Sequence, residues 1–471
     1  MCKQRRGSLA SIQVLIRTEF LREAMSEATA ASPAEQTNEA GSAAPSPATQ
    51  PEIDKAMSGV PAIRPRGAFY ALSFRNFRLF FFGQLVSVAG TWMQQVAQNW
   101  VVWDLTHDPR WLGFVSAANA VPYVLFSLLG GHIADRYSKR TILIWMQTVQ
   151  MLLAFALALL ASGIWIKMQA WHIVLLSGML GLSAAFNMPA QQAFVVELVD
   201  SRDALSNAIA LSSLRFNVAR VIGPLLAGVV LQKFGATWCF SVNGLSFVAV
   251  IISLLLMRVP HVPPSDHNLH VFEGFSYILR NRKVLRIIML IGAGSAFTWS
   301  SSTLFPMLAD LFNKHQAGFT MIMIFNGVGA AVGAAILAHS GESISRRLQV
   351  YGGAILFCLA LWVMSYMGSF WLVLALLVVS GFAMIVFGMA AQTLVQEEVP
   401  DELRGRVMAV YSLVFQGLLP IGGIEIGFLA KHIQAMPAIR VNAVICLVIT
   451  LAVFAWSIVG RRRAEAQAAP S

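Results

Sequence analysis

Twelve times between residues 77 and 460 the chain runs apolar for long enough to cross a hydrocarbon core, which is about 30 Å thick. The runs are 77–103, 110–134, 141–162, 171–196, 207–231, 237–257, 285–309, 318–340, 348–367, 370–394, 405–431 and 438–460. Inside lipid every backbone polar group has to be satisfied within its own segment, so each run must be a helix. The fold expected is an all-α integral membrane protein with twelve transmembrane helices. Composition agrees: 12% of residues are charged, where soluble domains carry about 25%. An even number of spans puts both chain ends on one side.

A formal charge of +11 would suit nucleic acid, but the charges form no single basic face and sit between the apolar runs. One set of loops and ends holds twenty Lys and Arg, among them Arg75, Arg136, Lys139, Arg140, Arg346, Arg347, Arg404 and Arg461 to Arg463. The other set holds six: Arg110, Lys167, Lys233, Lys314, Lys431 and Arg440. The positive-inside rule then places both termini in the cytoplasm, with the lipid bilayer and not nucleic acid as partner. The four cysteines show neither a disulfide nor a metal spacing. There is no GxxxxGK[ST] phosphate loop, so no cofactor is expected and a proton gradient is the energy source to consider.

Residues 1–66, rich in Ala, Ser, Pro, Glu and Gln from Met25 onward, read as a disordered cytoplasmic tail, and a true start at Met25 or Met57 is as good a reading as one at Met1. Then follow a six-helix half (67–257), a linker (258–284), a second half (285–460) and a short cytoplasmic tail (461–471). In the linker Val271, Phe272, Phe275, Ile278 and Leu279 share one helical face, as in a helix lying on the membrane surface. The halves repeat each other. Asp135, Lys139 and Arg140 recur as Glu342, Arg346 and Arg347, each 207 positions on. Ala210, Ser213, Leu214, Gly223 and Gly228 recur as Ala409, Ser412, Leu413, Gly422 and Gly427, each 199 on.

Four groups of residues carry chemistry. The first is the charged turn that closes Leu128-Leu129-Gly130-Gly131-His132-Ile133-Ala134-Asp135-Arg136-Tyr137-Ser138-Lys139-Arg140, where paired glycines admit a neighbouring backbone. The second is the polar face Gln84, Ser87, Thr91, Gln95 and Gln98, spaced by 3, 4, 4 and 3 along helix 1. So many amides cannot face lipid, so this face lines a cavity or another helix. Asn187, Gln191, Asn217, Asn326 and Gln416 are further candidates for a polar cavity. The third is helix 5, with Arg215, Arg220 and the run Gly223-Pro224-x-x-Ala227-Gly228. Arg220 lies mid-span, where a charge usually marks function, and is a candidate in proton coupling, while Arg215 is near enough to the cytoplasm to be able to snorkel out. The fourth is the scarce carboxylates. Glu425 is the deepest and the first choice for proton coupling, and Asp104 is the second. Glu425 is equally a structural partner for Arg220.

The turn reads G-x-x-x-D-R-x-x-x-R from Gly131 to Arg140 and resembles the signature loop between helices 2 and 3 of major facilitator transporters. Gly223-Pro224-x-x-Ala227-Gly228 resembles the helix-5 motif of drug-exporting members, with Ala227 in place of the usual glycine. Phe74-Arg75-Asn76-Phe77-Arg78, Gly83-Gln84-Leu85-Val86-Ser87 and Arg404-Gly405-Arg406-Val407-Met408-Ala409 are similar to the branch that holds the enterobactin exporter and macrolide efflux proteins. The resemblance implies a monomeric rocker-switch exporter of a siderophore or drug, driven by protons and seated in a bacterial inner membrane. It also implies a latch in which Gly131, Asp135, Arg136 and Arg140 meet the N-terminal end of helix 11. A nutrient importer on the same fold and a non-transporting sensor are the rivals. No nucleophile–base constellation supports an enzyme.

Overall fold

The computed structural model describes residues 69–199, 202–258, 271–340 and 344–468. The N-terminal tail, linker residues 259–270, Glu342 and the last three residues lie outside the described residues. Among those described, every regular element is helical. Six helices form the first half: α1 (Arg75–Thr106), α2 (Pro109–Arg136), α3 (Lys139–Ser162), α4 (Ala170–Glu197), α5 (Arg202–Phe234) and α6 (Ala236–Leu256). A short α7 (Val271–Arg280) precedes the second six: α8 (Arg282–Leu311), α9 (His315–Ser340), α10 (Arg346–Met364), α11 (Phe370–Glu398), α12 (Asp401–Ile433) and α13 (Ala435–Ala468). Each expected span coincides with one long helix. Eleven of these are long and apolar enough to cross a membrane on their own. The exception is α1, long at 32 residues but diluted by Gln84, Gln94, Gln95 and Gln98.

The helix ends follow local chemistry. Asp108 caps α2, its side chain accepting from Arg110 N, with Pro109 in the first turn where its missing N–H is harmless. Asn281 caps α8 by accepting from Lys283 N at 3.0 Å and Val284 N at 3.3 Å. Helix α8 departs from the single helix expected over 285–309. It relaxes into a π turn at Gly294–Thr298 and a 3-10 stretch at Trp299–Leu304. Thr298, Ser300 and Ser301 hydroxyls donate to carbonyls of their own helix one turn back, a bonding pattern that bends helices. The Trp299 ring is packed among Phe357, Phe387 and Phe415.

The repeat seen in sequence is a repeat in packing. Gly223 of α5 seats against Ala89 and Trp92 of α1, and its counterpart Gly422 of α12 seats against Ala296 of α8. Ala89 and Ala296 are themselves 207 apart. Gly228 then meets Thr320 of α9 in the other half, and its counterpart Gly427 meets Pro109 and Arg110 of α2, again in the other half. A side chain at any of the four would overlap its neighbour, so glycine is what lets these helices approach.

Helix α7 docks on the second half. Gly274 lies against the Arg406 backbone, Glu273 pairs with Arg406, and Tyr277 Oη donates to Glu398 O at 3.4 Å. Ile278 is buried while Phe275 and Leu279 point outward. The expected apolar face is therefore divided between protein and the outside.

Candidate functional site

The site is framed by how the two halves meet, and they meet at one end. Where α1 finishes, the buried Trp103 indole Nε1–H donates to Asp310 Oδ2 of α8 at 2.8 Å. The other carboxylate oxygen of Asp310 lies 2.8 Å from His315 Nδ1 at the start of α9. Trp103 and Asp310 are 207 apart, so this bond joins equivalent positions of the two repeats. Nearby, Asp108 binds Arg110 at 2.7 Å and Lys431 of α12 at 3.4 Å. Its hydrogen bonds with Arg110 pull the Asp108 carboxyl down to about 2, against the opposing effect of burial. Between these polar links Trp100 stacks on Phe319, Phe114 meets Phe428 edge to face, and a Cβ on Gly113 would lie 2.6 Å from Gly423 O. One hydrophobic core runs through this end across both halves, from Met93, Trp100 and Leu112 to Phe305, Phe319 and Ile426.

At the opposite end, which carries the basic loops, each half grips itself. Lys139 pairs with Glu197 at 2.8 Å and Arg346 with Glu397 at 3.5 Å. Lys283 pairs with Glu398. Arg140 donates to Leu254 O at 2.7 Å and Leu255 O at 2.9 Å, closing the C-terminal end of α6. Phe77, Phe80, Leu143, Phe194 and Leu254 make a separate core confined to the first half. Among the described residues, no ion pair or side-chain hydrogen bond crosses between the halves here. Asp135 is half-buried and has no such partner, Arg136 is exposed, and Gly131 has open space above it. The close backbone approach expected of the paired glycines occurs at Gly130 alone, against Ala185 of α4. In this state the loop belongs to its own half.

Between the two ends, the polar face of α1 divides. Gln98 is buried and donates to Ser177 Oγ of α4 at 3.3 Å. Gln84 and Ser87 are buried as well, whereas Thr91 and Gln95 are exposed. Asn187 accepts from Gln147 of α3 at 3.3 Å. Gln191 is half-buried. Asn217 donates to Ser213 O of its own helix at 2.9 Å, and Asn326 ties α9 to α11 by donating to Leu377 O at 3.4 Å. Gln416 of α12 faces the Tyr123 hydroxyl of α2, a contact between the halves.

Arg220 also reaches the other half. Its guanidinium lies 5.7 Å from the Trp92 ring centre and 3.5 Å from Met384 Sδ of α11. Pro224, one turn on, sits inside the continuous helix α5. Arg215, able by its position to snorkel out, does not. It is buried over the Phe80 ring, 5.5 Å from its centre. Glu425 accepts from Asn442 Nδ2 of α13 at 2.8 Å. It lies two positions from both Gly423 and Gly427, which face α2, so it points roughly 160° away from them. It is joined to Asn442 and makes no ion pair with Arg220. Asp104 is exposed, and it is the neighbouring Trp103 that engages a carboxylate.

The Trp103–Asp310–His315 chain, the Asp108–Lys431 link, Met384, Tyr123 and the break in α8 were not singled out from sequence. Two of them left a trace there. The 207-residue shift pairs Trp103 with Asp310, and Asp108-Pro109 is a helix-start signal. The contact of Arg220 with Met384 spans 164 positions and left none.

Two six-helix halves, related by an internal repeat, sealed together at one end and self-contained at the other, define a membrane transporter built of parallel repeats. The transmembrane secretion effector family of major facilitator transporters matches residues 66–470, and the chain belongs to that family. It is similar to the staphyloferrin A transporter of Staphylococcus aureus, 24% identical over 79% of this chain and 94% of the relative. It is also similar to macrolide efflux protein A of Streptococcus pyogenes, 21% identical over 76% and 91%, and to the enterobactin exporter EntS of Escherichia coli, 24% identical over 71% and 80%. Among solved structures, a POT family transporter in complex with 5-aminolevulinic acid superposes with TM-score 0.66 at 13% identity, covering 81% of this chain and 96% of that one. The nucleoside transporter NupG gives 0.61 at 15% identity, covering 82% and 98%. At such identities the likeness is one of fold.

Proposed function

We propose that this transporter exports a small amphipathic compound, a siderophore or a drug, by alternating access coupled to protons. The observation that carries the reading is the unequal closure of the two ends. Contacts between the halves concentrate at the Asp108 end, and the contacts at the basic end stay within a half. With the basic end in the cytoplasm, as the positive-inside rule has it, cargo enters from that side. Rocking about the α2–α12 and α5–α9 seams then opens the Asp108 end. In that second state Asp135 meets the N-terminal end of α12, where the helix dipole favours an anion, and Arg136 and Arg140 join it. The names of the relatives, two of which refer to efflux or export, support the direction.

Glu425 is the proposed proton carrier, and its surroundings support that role. The Asn442 amide donates to the ionised carboxylate at 2.8 Å. Its own oxygen, buried and without a partner among the described residues, is free to accept from a protonated carboxyl once the amide turns over. One side chain thus serves both protonation states. Asp104, exposed at the Asp108 end, is a second candidate. A monomer suffices for this mechanism.

The test is proton flux in inside-out vesicles challenged with siderophores and amphipathic drugs. One compound should release luminal protons in wild type and fail to do so in Glu425→Gln. Labelled compound crossing without proton movement rejects the coupling. A panel in which nothing crosses rejects export.

A further inference from the structure

Charge within the membrane-spanning part of the molecule does not balance. On α5, Arg215 is 6% exposed, and its Nε and Nη1 have no hydrogen-bond partner among the described residues. Its contact is the face of Phe80. Gln84 Nε2, one turn along α1 from Phe80, and Ser212 Oγ, one turn along α5 from Arg215, are buried and unpartnered too. Five residues on, Arg220 rests on the Trp92 ring and Met384 Sδ, neither of which neutralises a cation as a carboxylate does. Among the described residues neither arginine forms an ion pair. The mid-span carboxylate, Glu425, is engaged with Asn442 on the far side of α12. Buried charge is retained where something completes it.

We infer that the cargo completes it. The transported compound is a small organic anion whose carboxylate is forked by Arg220 and whose aromatic or apolar body lies along Trp92 and Phe216. This rests on the transporter reading above and narrows its substrate class. Three features point the same way. The planar guanidinium offers parallel N–H donors that match a carboxylate, and the acceptor that Nη2 now faces, Met384 Sδ at 3.5 Å, is a weak one that a carboxylate displaces. Trp92 and Phe216 are set edge to face, 6.0 Å between ring centres, beside the guanidinium. The buried side-chain atoms left without a partner on the same two helices include three donors, Arg215 Nε and Nη1 and Gln84 Nε2, and a hydroxyl, Ser212 Oγ, that serves as either. A cationic cargo would meet the like charge of Arg220, which no carboxylate among the described residues offsets. Trp92 and Arg220 belong to one half and Met384 to the other, so an anion bound here acts on both halves.

The full-length protein in lipid nanodiscs is titrated by calorimetry with naphthylacetate and with naphthylacetamide, an uncharged ligand with the same ring system. Wild type should bind the acid at least about tenfold tighter than the amide. Arg220→Gln should erase that preference by weakening the acid and leaving the amide within about twofold. Arg220→Lys should keep part of it, and Arg215→Gln should lower it less than Arg220→Gln does. Equal binding of acid and amide, an undiminished preference in Arg220→Gln, tighter binding of naphthylmethylammonium, or no binding of the acid by wild type each overturns the inference. If Arg220→Gln does not fold, the wild-type ratio decides the matter alone. Binding in nanodiscs needs no transport. A protein that binds the acid yet moves nothing in vesicles keeps this inference and loses the export reading, and one that exports only cations does the reverse.

Discussion

The two ends of this transporter are held by contacts of different kinds. At the Asp108 end the halves meet through glycine, aromatic edges and two polar links, Trp103–Asp310 and Asp108–Lys431. At the basic end the ion pairs Lys139–Glu197, Arg346–Glu397 and Lys283–Glu398 are stronger in charge, but each ties a half to itself. The difference separates rigidity from switching. Charged pairs within a half fix its helices as one body. The seam between halves is made of contacts that part without stranding many charges, and a carrier that must open and close needs such a seam.

The comparison can be broken hardest by crowding the seam. Gly113→Val sets a methyl against Gly423 O, where a Cβ already comes to 2.6 Å, and overpacking of this kind costs about 1–3 kcal/mol or more. Spin-label distances between Leu105 and Leu311 should lengthen and those between Tyr137 and Leu348 shorten. Unchanged distances would mean that the seam is not what holds this state.

Trp103→Phe comes next. It leaves an aromatic ring, smaller than the indole, and removes the donor to Asp310, a bond to a charged acceptor worth about 1.5–3 kcal/mol. The same label pairs should show the open population at the Asp108 end rising by roughly tenfold. Arg140→Ala sharpens the contrast from the other side. Its bonds close α6 within one half, so thermal stability should fall by about 1–2 kcal/mol while both label distances stay as in wild type. Distances that shift without loss of stability would show Arg140 already at work across the halves.

The smallest effect is at Asp108. Its carboxyl is held below the ordinary carboxylate range, chiefly by Arg110 of the same turn. A depressed carboxyl contributes stability above its ordinary titration range and loses it as pH falls toward about 2. Because Arg110 stays with Asp108 when the halves part, only the Lys431 share of that stability depends on closure. Asp108→Asn should therefore shift opening by less than about 1 kcal/mol, and salt should shrink the effect. Wild-type distances should be flat between about pH 8 and pH 5 as far as Asp108 is concerned. A steep change there that Asp108→Asn abolishes would contradict this account.

Much of this was legible in the chain. A continuous apolar run of span length satisfies its own backbone in hydrocarbon only as a helix, so the apolar runs alone gave the number, order and approximate ends of the spanning helices. The exact shift of 207 between acid–base loops gave the two halves, and the shift of 199 paired Gly223 with Gly422 and Gly228 with Gly427 without saying which helices they meet. Side-chain neighbours were a different matter. Helical spacing placed Gln84, Ser87, Thr91, Gln95 and Gln98 on one face, yet three are buried and two are exposed. Spacing fixes direction about one axis and says nothing of how near the next helix lies. Arg215 looked able to snorkel toward the surface and is instead covered by Phe80.

The sequence by itself determined that this is a membrane protein of two repeated six-helix halves, because hydropathy and repetition are properties of single segments. Only the tertiary structure decided which end is shut, that Glu425 belongs to Asn442 rather than to Arg220, and that Arg220 faces a thioether and an indole. Those are relations between helices far apart in the chain, set by packing against partners that no local pattern names.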